Sequence, residues 1–212
     1  MAEPNRLVHL VDDDEAVRRS ASLMLGRLRY AVRTYESGAA LLATAELAPG
    51  CLLLDVRMPD MDGLEVQAAL KARGVSLPVI IMTGHGDINL AVQAMKAGAV
   101  DFIEKPFERS ALLSALDEGF ARIEQAGRER ARAETAARRL DVLTPREREV
   151  LHGMARGHPN KTIAYSLGIS PRTVEIHRAN LMSKLAVASL SEALRLAFAA
   201  GLDENGGDDG TP

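Results

Sequence analysis

The fold of this chain is decided by the stretch Cys51-Leu-Leu-Leu-Asp-Val-Arg-Met-Pro-Asp-Met-Asp-Gly63. Four apolar residues run into Asp55, a polar loop follows, and a helical pattern begins at Gly63. An apolar run of this length is too short for a helix and is typical of a strand that is buried on both faces. The stretch therefore predicts a buried strand, a polar turn at its carboxyl end, and a helix.

The same alternation continues on both sides of this stretch. Further short apolar runs, each predicted as a strand, lie at 7–11, 31–35, 78–82 and 100–103. Helical patterns lie at 15–30, 37–47, 63–73, 87–97 and 108–122. Five strand–helix repeats predict an α/β domain, a doubly wound five-stranded parallel sheet with helices on both faces.

Length and composition limit the number of domains and indicate the cellular compartment. The chain has 212 residues, of which 47% are hydrophobic, so it is long enough for one large domain or two small ones. A single cysteine, Cys51, excludes an internal disulfide and favours a reducing compartment. We expect Cys51 to be a small buried residue. The sequence has no apolar run near the ~20 residues of a membrane span and no signal peptide pattern, so we expect a cytoplasmic protein without a membrane partner.

Residues 121–142 are rich in Ala, Arg and Glu. Arg130, Glu134 and Arg138 follow one another at a spacing of four, which stabilises a helix. The segment is therefore either a charged helical linker or a continuation of the fifth helix. The Gly- and Asp-rich residues 203–212 are predicted to be a disordered acidic tail.

Residues 143–202 carry four helix start signals and no strand pattern. The signals are the capping box Thr144–Glu147, a capping Asn160, Ser170 before a proline, and the second box Ser189–Glu192. The tight turn Gly168-Ile-Ser170 joins the second and third of these helices into a helix-turn-helix. This all-α segment has a basic net charge, which suits nucleic acid, although the pattern also fits a small protein-binding module.

Polar residues follow four of the predicted strands: Asp12 and Asp13, then Asp55, Thr83 and Lys105. The carboxyl ends of such strands meet at one crevice, which is where ligands of these sheets bind. Clustered carboxylates repel one another unless a cation joins them, and Mg²⁺ prefers oxygen ligands. With a lysine and a hydroxyl opposite, the set suits phosphoryl transfer to an aspartate. Each residue alone is also compatible with a plain turn, so the joint placement carries the hypothesis.

Four stretches of the sequence resemble the receiver domains of two-component response regulators. They are Val11-Asp-Asp-Asp14, Leu54–Gly63, Ile81-Met-Thr-Gly-His-Gly86 and Lys96-Ala-Gly-Ala-Val-Asp-Phe-Ile-Glu-Lys-Pro-Phe107. The resemblance covers residues 7 to about 120, and the stretch from Thr83 to Phe107 is similar to FixJ-type regulators in particular. It implies a flavodoxin-like sheet.

The receiver resemblance also implies roles for individual residues. Asp55 accepts the phosphoryl group, while Asp12, Asp13, Asp55 and the backbone carbonyl of Arg57 hold Mg²⁺. An aspartyl-phosphatase would have a second acid two residues after the nucleophile. Arg57 occupies that position here, which disfavours that class of enzyme.

The same resemblance implies which residues bind the phosphoryl group and which change conformation when it is bound. Thr83 and Lys105 bind the phosphoryl oxygens. Thr83 and Phe102 form the conformational switch, although Phe102 also fits a core position.

The second half closely resembles the DNA-binding domain of LuxR/NarL/FixJ-type regulators. The stretches are Leu143–Leu151, Asn160–Ala164 and Ile169–Asn180. The resemblance implies base-edge contacts from Glu175, Arg178 or Ala179. It implies phosphate contacts from Lys161, Arg172, Thr173 and Lys184. We expect the His177 side chain to pack in the domain or to contact a DNA phosphate rather than to bind a metal. The last helix resembles the dimer surface of the family.

The sequence thus predicts a DNA-binding response regulator whose chemistry is limited to its own phosphorylation and slow dephosphorylation. Its domains are residues 1–120, 121–142, 143–202 and 203–212. The expected partners are a sensor histidine kinase, promoter DNA, RNA polymerase and, on phosphorylation, a second copy of the chain. The expected dimer surface comprises Ala91, Met95, Lys96, Asp101, Glu104 and Arg109. The alternatives are a DNA binder that ignores phosphorylation and a stand-alone aspartyl-phosphate enzyme.

Overall fold

A computed structural model describes residues 6–59, 61–84 and 88–202, and it divides into two compact units, 1–126 and 127–212. The predicted acidic tail, 203–212, lies outside the described residues. The strands of the first unit are β1 (Leu7–Val11), β2 (Ala31–Tyr35), β3 (Cys51–Asp55), β4 (Val79–Thr83) and β5 (Asp101–Glu104). They form one parallel sheet in the order β2-β1-β3-β4-β5, which confirms the predicted five-stranded parallel sheet.

Five helices accompany these strands: α1 (Glu15–Arg27), α2 (Gly38–Leu42), α3 (Gly63–Ala72), α4 (Ile88–Lys96) and α5 (Arg109–Leu140). Every residue of β3 and β4 is buried, because helices cover both faces of the sheet. Leu53 packs into the core cluster on one face, whereas Leu52 and Leu54 pack on the other. Cys51 is buried as expected, and burial raises the pKa of its thiol to about 12.

The strand order creates the crevice that positions the site. From β1 the chain first adds β2 on one side and then crosses to add β3 on the other, so β1 and β3 flank the topological switch point. Val11 is paired with Leu54 in the parallel register. The residues that follow, Asp12 and Asp55, therefore meet at the carboxyl edge of the sheet.

Two helices end earlier than the sequence pattern predicts. α1 ends at Arg27, because Arg29 adopts a left-handed conformation with φ 66°. α2 ends at Leu42 rather than near residue 47, and the Leu42 carbonyl accepts a hydrogen bond of 2.5 Å from Arg73. The donor of that bond is 31 positions away in the sequence, so a local sequence pattern cannot predict it.

The helix α5 is longer than predicted. It runs without a break from Arg109 to Leu140 and so includes most of the segment read as a possible linker. The segment is therefore helical and continuous with the fifth helix as far as Leu140. No helix within the described ranges is long and apolar enough to span a membrane.

The second unit is helical, with α6 (Pro145–Ala155), α7 (Asn160–Leu167), α8 (Pro171–Lys184) and α9 (Leu190–Ala199). Its core contains Val150, Leu151 and Leu181 together with Leu140 from the end of α5. The turn between α7 and α8 contains Gly168, whose φ of 64° favours glycine.

Of two helix starts predicted in this unit, the structure confirms one and contradicts the other. The capping box at Thr144 and Glu147 is present as predicted. The predicted cap at Asn160 is wrong, because Pro159 occupies the N-cap position without a side-chain hydrogen bond. The Asn160 side chain instead accepts a hydrogen bond of 2.7 Å from Arg178.

Candidate functional site

Three carboxylates meet where β1 and β3 end. Asp12 is fully buried, Asp55 is 6% exposed and Asp13 faces solvent. One carboxylate oxygen of each lies within 4.8 Å of the others. The adjacent positions of β1 and β3 produce this cluster, because the two strands end side by side at the crevice.

Lys105 enters the same cluster from the loop after β5. Its ammonium nitrogen lies 2.6 Å from Oδ2 of Asp12 and 3.0 Å from Oδ1 of Asp55. The backbone N–H of Lys105 donates to the Thr83 carbonyl at 2.7 Å, and its peptide bond to Pro106 is cis. The structure thus brings together Asp12, Asp55 and Lys105 from three strands, as the sequence predicts.

The charges in this cluster do not balance. Burial raises the pKa of Asp55, the hydrogen bond and charge of Lys105 lower it, and the charges of Asp12 and Asp13 raise it, with a net pKa above the ordinary value. For Lys105, burial lowers the pKa, but Asp12 and Asp55 outweigh it and hold the pKa above its ordinary value. The Lys105 ammonium group is shared between Asp12 and Asp55, and a further cation would relieve the remaining repulsion among the three carboxylates.

The donor set fits Mg²⁺. The three clustered carboxylates offer the hard oxygen ligands that this ion prefers, and a site with few protein ligands leaves room for water or phosphate oxygens. Arg57 is exposed and lies in the loop between β3 and α3, two residues after Asp55. Its role as a carbonyl ligand stays a prediction.

Thr83 is the last residue of β4 and is 4% exposed. β4 lies beside β3, with Met82 paired to Asp55, so Thr83 reaches the same edge of the sheet as the carboxylates. The loop that follows Thr83 is described only at Gly84, since residues 85–87 lie outside the described ranges.

Gly63 is a supporting residue that the sequence interpretation did not single out. A Cβ atom at this position would lie 2.5 Å from the carbonyl oxygen of Asp55, so a larger residue would displace that backbone. The backbone N–H of Gly63 also donates to the Val56 carbonyl at 3.0 Å. The sequence did offer one signal for this role. Asp62 and Gly63 stand at a predicted helix start, in the loop that follows the candidate nucleophile Asp55.

The surface of α4 and β5 is partly apolar. Phe102 is 48% exposed on β5, and Val92 and Met95 on α4 are 47% and 40% exposed. Ala91 is only 3% exposed, so its predicted place on the outer surface is wrong. The next residue of the helix, Val92, takes the exposed position instead.

The helix α8 presents a mixed outer face. Arg172 and Glu175 form an exposed ion pair of 3.0 Å, and Ala179 is exposed one turn further along. Arg178 is partly buried, and its hydrogen bond to Asn160 ties α8 to the start of α7. Lys161 is exposed on α7, and the Thr173 hydroxyl lies 2.8 Å from that of Ser170.

Lys184 has an additional role that the sequence did not reveal. Its ammonium group lies 2.8 Å from Glu147, a carboxylate that is 3% exposed and that also accepts from the Thr144 backbone. Burial raises the pKa of Glu147, but Lys184 and the Thr144 hydrogen bonds outweigh it and hold the pKa below its ordinary value. This pair connects the start of α6 with the end of α8.

Two known families match the chain, one for each unit. The family described as response regulator receiver domain matches residues 8–117, and the family described as bacterial regulatory proteins, luxR family, matches residues 141–197. The chain therefore belongs to the response regulators and carries a receiver domain and a LuxR-type DNA-binding domain. This confirms the predicted class, a two-component transcription regulator.

Individual relatives narrow the class further. The transcriptional regulatory protein FixJ of Azorhizobium caulinodans is 48% identical over 206 residues, with 97% of each chain covered. FixJ of Rhizobium meliloti is 47% identical, with 92% of this chain and 96% of that one covered. A crystal structure of full-length FixJ from B. japonicum is 43% identical with a TM-score of 0.59 and covers 94% of this chain and 99% of its own. The protein is thus a FixJ-like response regulator.

A structure of the response regulator StyR is also similar across both units. It is 39% identical with a TM-score of 0.70 and covers 92% of this chain and 99% of its own. The resemblance to response regulators inferred from the motifs is therefore confirmed over nearly the whole chain. A stand-alone enzyme and a simple protein-binding module both leave one of the two matched domains unexplained.

Proposed function

We propose that Asp55 accepts a phosphoryl group from a sensor histidine kinase and that this modification controls DNA binding by the second unit. The observation that carries the proposal is the position of Asp55, whose carboxylate lies 3.0 Å from the Lys105 ammonium group inside a cluster of three acids. In this proposal residues 1–120 are the receiver, 121–142 the helical linker, 143–202 the DNA-binding domain and 203–212 the tail. The protein works in the cytoplasm without a membrane partner.

Asp55 is the best nucleophile of the three acids. Both oxygens of Asp12 already have partners, since Oδ1 accepts from the Asp14 backbone at 3.0 Å and Oδ2 from Lys105. Asp13 is exposed to solvent. A carboxylate oxygen of Asp55 attacks the phosphorus atom, and the imidazole of the phosphohistidine leaves with the electron pair of the broken P–N bond.

The surrounding residues stabilise the transferred group. Lys105 balances charge on the phosphoryl oxygens, and the Thr83 hydroxyl donates a hydrogen bond to one of them. Asp12, Asp13, Asp55 and the Arg57 carbonyl would hold Mg²⁺, which supplies positive charge that offsets repulsion between the acids and the incoming phosphate. The receiver catalyses only its own phosphorylation and slow dephosphorylation.

Phosphorylation would be communicated through Thr83 and Phe102. A Thr83 hydroxyl drawn toward the phosphoryl group vacates space, and an inward rotation of Phe102 fills it. Because Phe102 is 48% exposed, such a rotation changes the outer surface of α4 and β5. That surface would then pair with its copy in a second chain.

The second unit would bind promoter DNA through α8. Base edges are read by Glu175, Arg178 or Ala179 in the major groove. Phosphates are bound by Lys161, Arg172, Thr173 and Lys184, the last of these through N–H groups that do not engage Glu147. Once bound, the dimer would contact RNA polymerase to regulate transcription.

The test is DNase footprinting of promoter DNA with and without acetyl phosphate and Mg²⁺, using wild-type protein and Asp55→Asn. The wild type should label with phosphate and gain protection, whereas Asp55→Asn should do neither. Asp12→Ala and Asp13→Ala should still label, but at a higher Mg²⁺ concentration. Full labelling of Asp55→Asn would show that the phosphoacceptor is misassigned. Equal protection by Asp55→Asn and the phosphorylated wild type would favour a DNA binder that ignores phosphorylation.

A further inference from the structure

We propose that Arg18 is a positioning residue for the acidic site. Its Nη1 donates to the backbone carbonyls of both Asp12 and Asp13, at 2.7 Å and 2.8 Å. Arg18 thereby holds the turn after β1 in the conformation that presents two carboxylates to Asp55. The inference rests on the proposed function, because it takes these carboxylates to be the Mg²⁺ ligands.

The position of Arg18 in the helix allows it to reach this turn. Arg18 lies in the first turns of α1, and its backbone N–H donates to the Asp14 carbonyl at 3.1 Å. Side chains of a helix lean toward its N-terminus, so a long side chain here extends back past the N-cap, Asp14. The guanidinium group has several N–H donors in a rigid arrangement and can bind two neighbouring carbonyls together.

The two aspartates depend on Arg18 to different degrees. The Asp12 carboxylate is also held by Lys105 at 2.6 Å and by the Asp14 backbone at 3.0 Å. Asp13 is exposed, and within the described residues the hydrogen bond that holds it is the one from Arg18 to its carbonyl oxygen. Loss of Arg18 should therefore release Asp13 more than Asp12.

The charge of Arg18 and its orienting role predict opposite changes in Mg²⁺ affinity when Arg18 is removed. The positive charge of Arg18 repels a cation bound at the neighbouring carboxylates, so removal of the charge alone should strengthen Mg²⁺ binding. Loss of a residue that orients metal ligands should weaken it, because the ligands must then be ordered at the moment of binding. The sign of the change in affinity therefore separates the two effects.

The experiment compares Arg18→Met with Arg19→Met in the full chain. Arg19 carries the same charge at the next position, but it pairs with Glu15 at the surface, 2.6 Å away. Isothermal titration calorimetry with MgCl₂ should show a dissociation constant about tenfold higher for Arg18→Met, the lower end of the usual loss for outer-shell residues. Arg19→Met should stay within about twofold of wild type, as expected for an exposed charge.

The rate of labelling by acetyl phosphate provides a second measurement. The Mg²⁺ concentration for half-maximal rate should rise with the dissociation constant in Arg18→Met, while the maximal rate at saturating Mg²⁺ should stay near that of wild type. A role limited to stability would lower the melting temperature in EDTA and leave the Mg²⁺ affinity unchanged, which would overturn the proposal. Binding as tight as, or tighter than, that of Arg19→Met would overturn it too.

Arg18→Lys keeps the charge and a donor on a shorter side chain. It should recover part of the affinity lost in Arg18→Met, and it carries the test if Arg18→Met does not fold, with an expected loss of about threefold. An affinity equal to wild type in Arg18→Lys would then reject the proposal. Wild-type protein that binds no Mg²⁺ would instead reject the proposed metal site, so the two failures are distinguishable.

Discussion

Arg178 and Lys161 lie on neighbouring helices and differ in how their side chains are held. Arg178 is partly buried and hydrogen-bonded to Asn160, so its guanidinium group has a defined direction before DNA arrives. Lys161 is exposed. A fixed donor suits the reading of one base, whereas a mobile ammonium group suits a phosphate, which is present at every position of DNA.

We therefore expect substitutions of these residues to have different effects on DNA binding. Arg178→Ala should cost about 1–3 kcal/mol on the specific site and relax its sequence preference. Lys161→Ala should weaken binding about equally on specific and random DNA and reduce the salt slope by about one. Fluorescence anisotropy titrations at several salt concentrations measure both. Equal losses on both DNAs for both variants would contradict this division.

At the level of secondary structure, α6 and α8 are joined by a charge pair between the buried Glu147 and the partly exposed Lys184. Glu147 accepts from the backbone at the start of α6 and from Lys184 at the end of α8. A buried carboxylate needs such partners, so removal of Lys184 leaves Glu147 with its Thr144 hydrogen bonds but without a compensating positive charge. The lowered pKa of Glu147 means that the folded state holds this proton less tightly than the unfolded chain does.

Lys184→Met should therefore destabilise the second unit by about 1–2 kcal/mol near pH 7, less than for a fully buried pair, because Lys184 is 40% exposed and solvent screens its charge. In the wild type, the stability contributed by the pair should be complete above the ordinary carboxyl pKa of 4.5 and should be lost as the pH falls through the lower folded-state pKa. In the variant this dependence should shrink or reverse, because the pKa of Glu147 is no longer lowered by Lys184.

Hydrogen exchange of peptides from residues 143–202, measured from about pH 3 to pH 7 with correction for the intrinsic rate, reports this stability. Lys161→Met is the matched control, since Lys161 is exposed and should change the protection little. Identical protection in Lys184→Met and Lys161→Met at neutral pH would show that the pair does not stabilise the domain.

For the whole molecule, an acidic receiver and a basic DNA-binding domain lie on one chain. The exposed apolar residues Val92, Met95 and Phe102 lie near charges of both signs, including Lys96 and Glu104. A surface with both signs is compatible with pairing to its own copy about a two-fold axis. Two linked DNA-binding domains gain about 10²–10⁴ in avidity without new contacts, which is enough to act as a switch.

We expect a mostly monomeric chain before phosphorylation and a dimer after treatment with acetyl phosphate and Mg²⁺. Light scattering at micromolar concentration measures the change. Val92→Asp should still be phosphorylated but remain monomeric, because the pairing would bury its charge. Leu23→Asp, which alters an apolar residue that is 61% exposed on α1, should dimerise like wild type. Dimerisation of Asp55→Ala under the same conditions would reject the coupling.

The sheet, the meeting of Asp12, Asp55 and Lys105, and the class of protein could all be predicted from the sequence. Short apolar runs are local, and strands buried on both faces require them, so all five strands were predicted within about one residue. The site residues follow those strands directly, so the parallel topology was enough to bring Asp12, Asp55 and Lys105 together. The box at Thr144 and Glu147 was also predictable, because its hydrogen bonds join residues three positions apart.

Features that depend on partners far apart in the sequence could not be predicted in this way. The Leu42 carbonyl that ends α2 is bound by Arg73, and the Lys184 ammonium is bound by Glu147, 37 positions away. The burial of Ala91 depends on how α4 rotates against the sheet, and sequence periodicity leaves that rotation open by about one residue. Such contacts form between elements after folding, whereas caps and strand patterns are encoded within a few neighbouring residues.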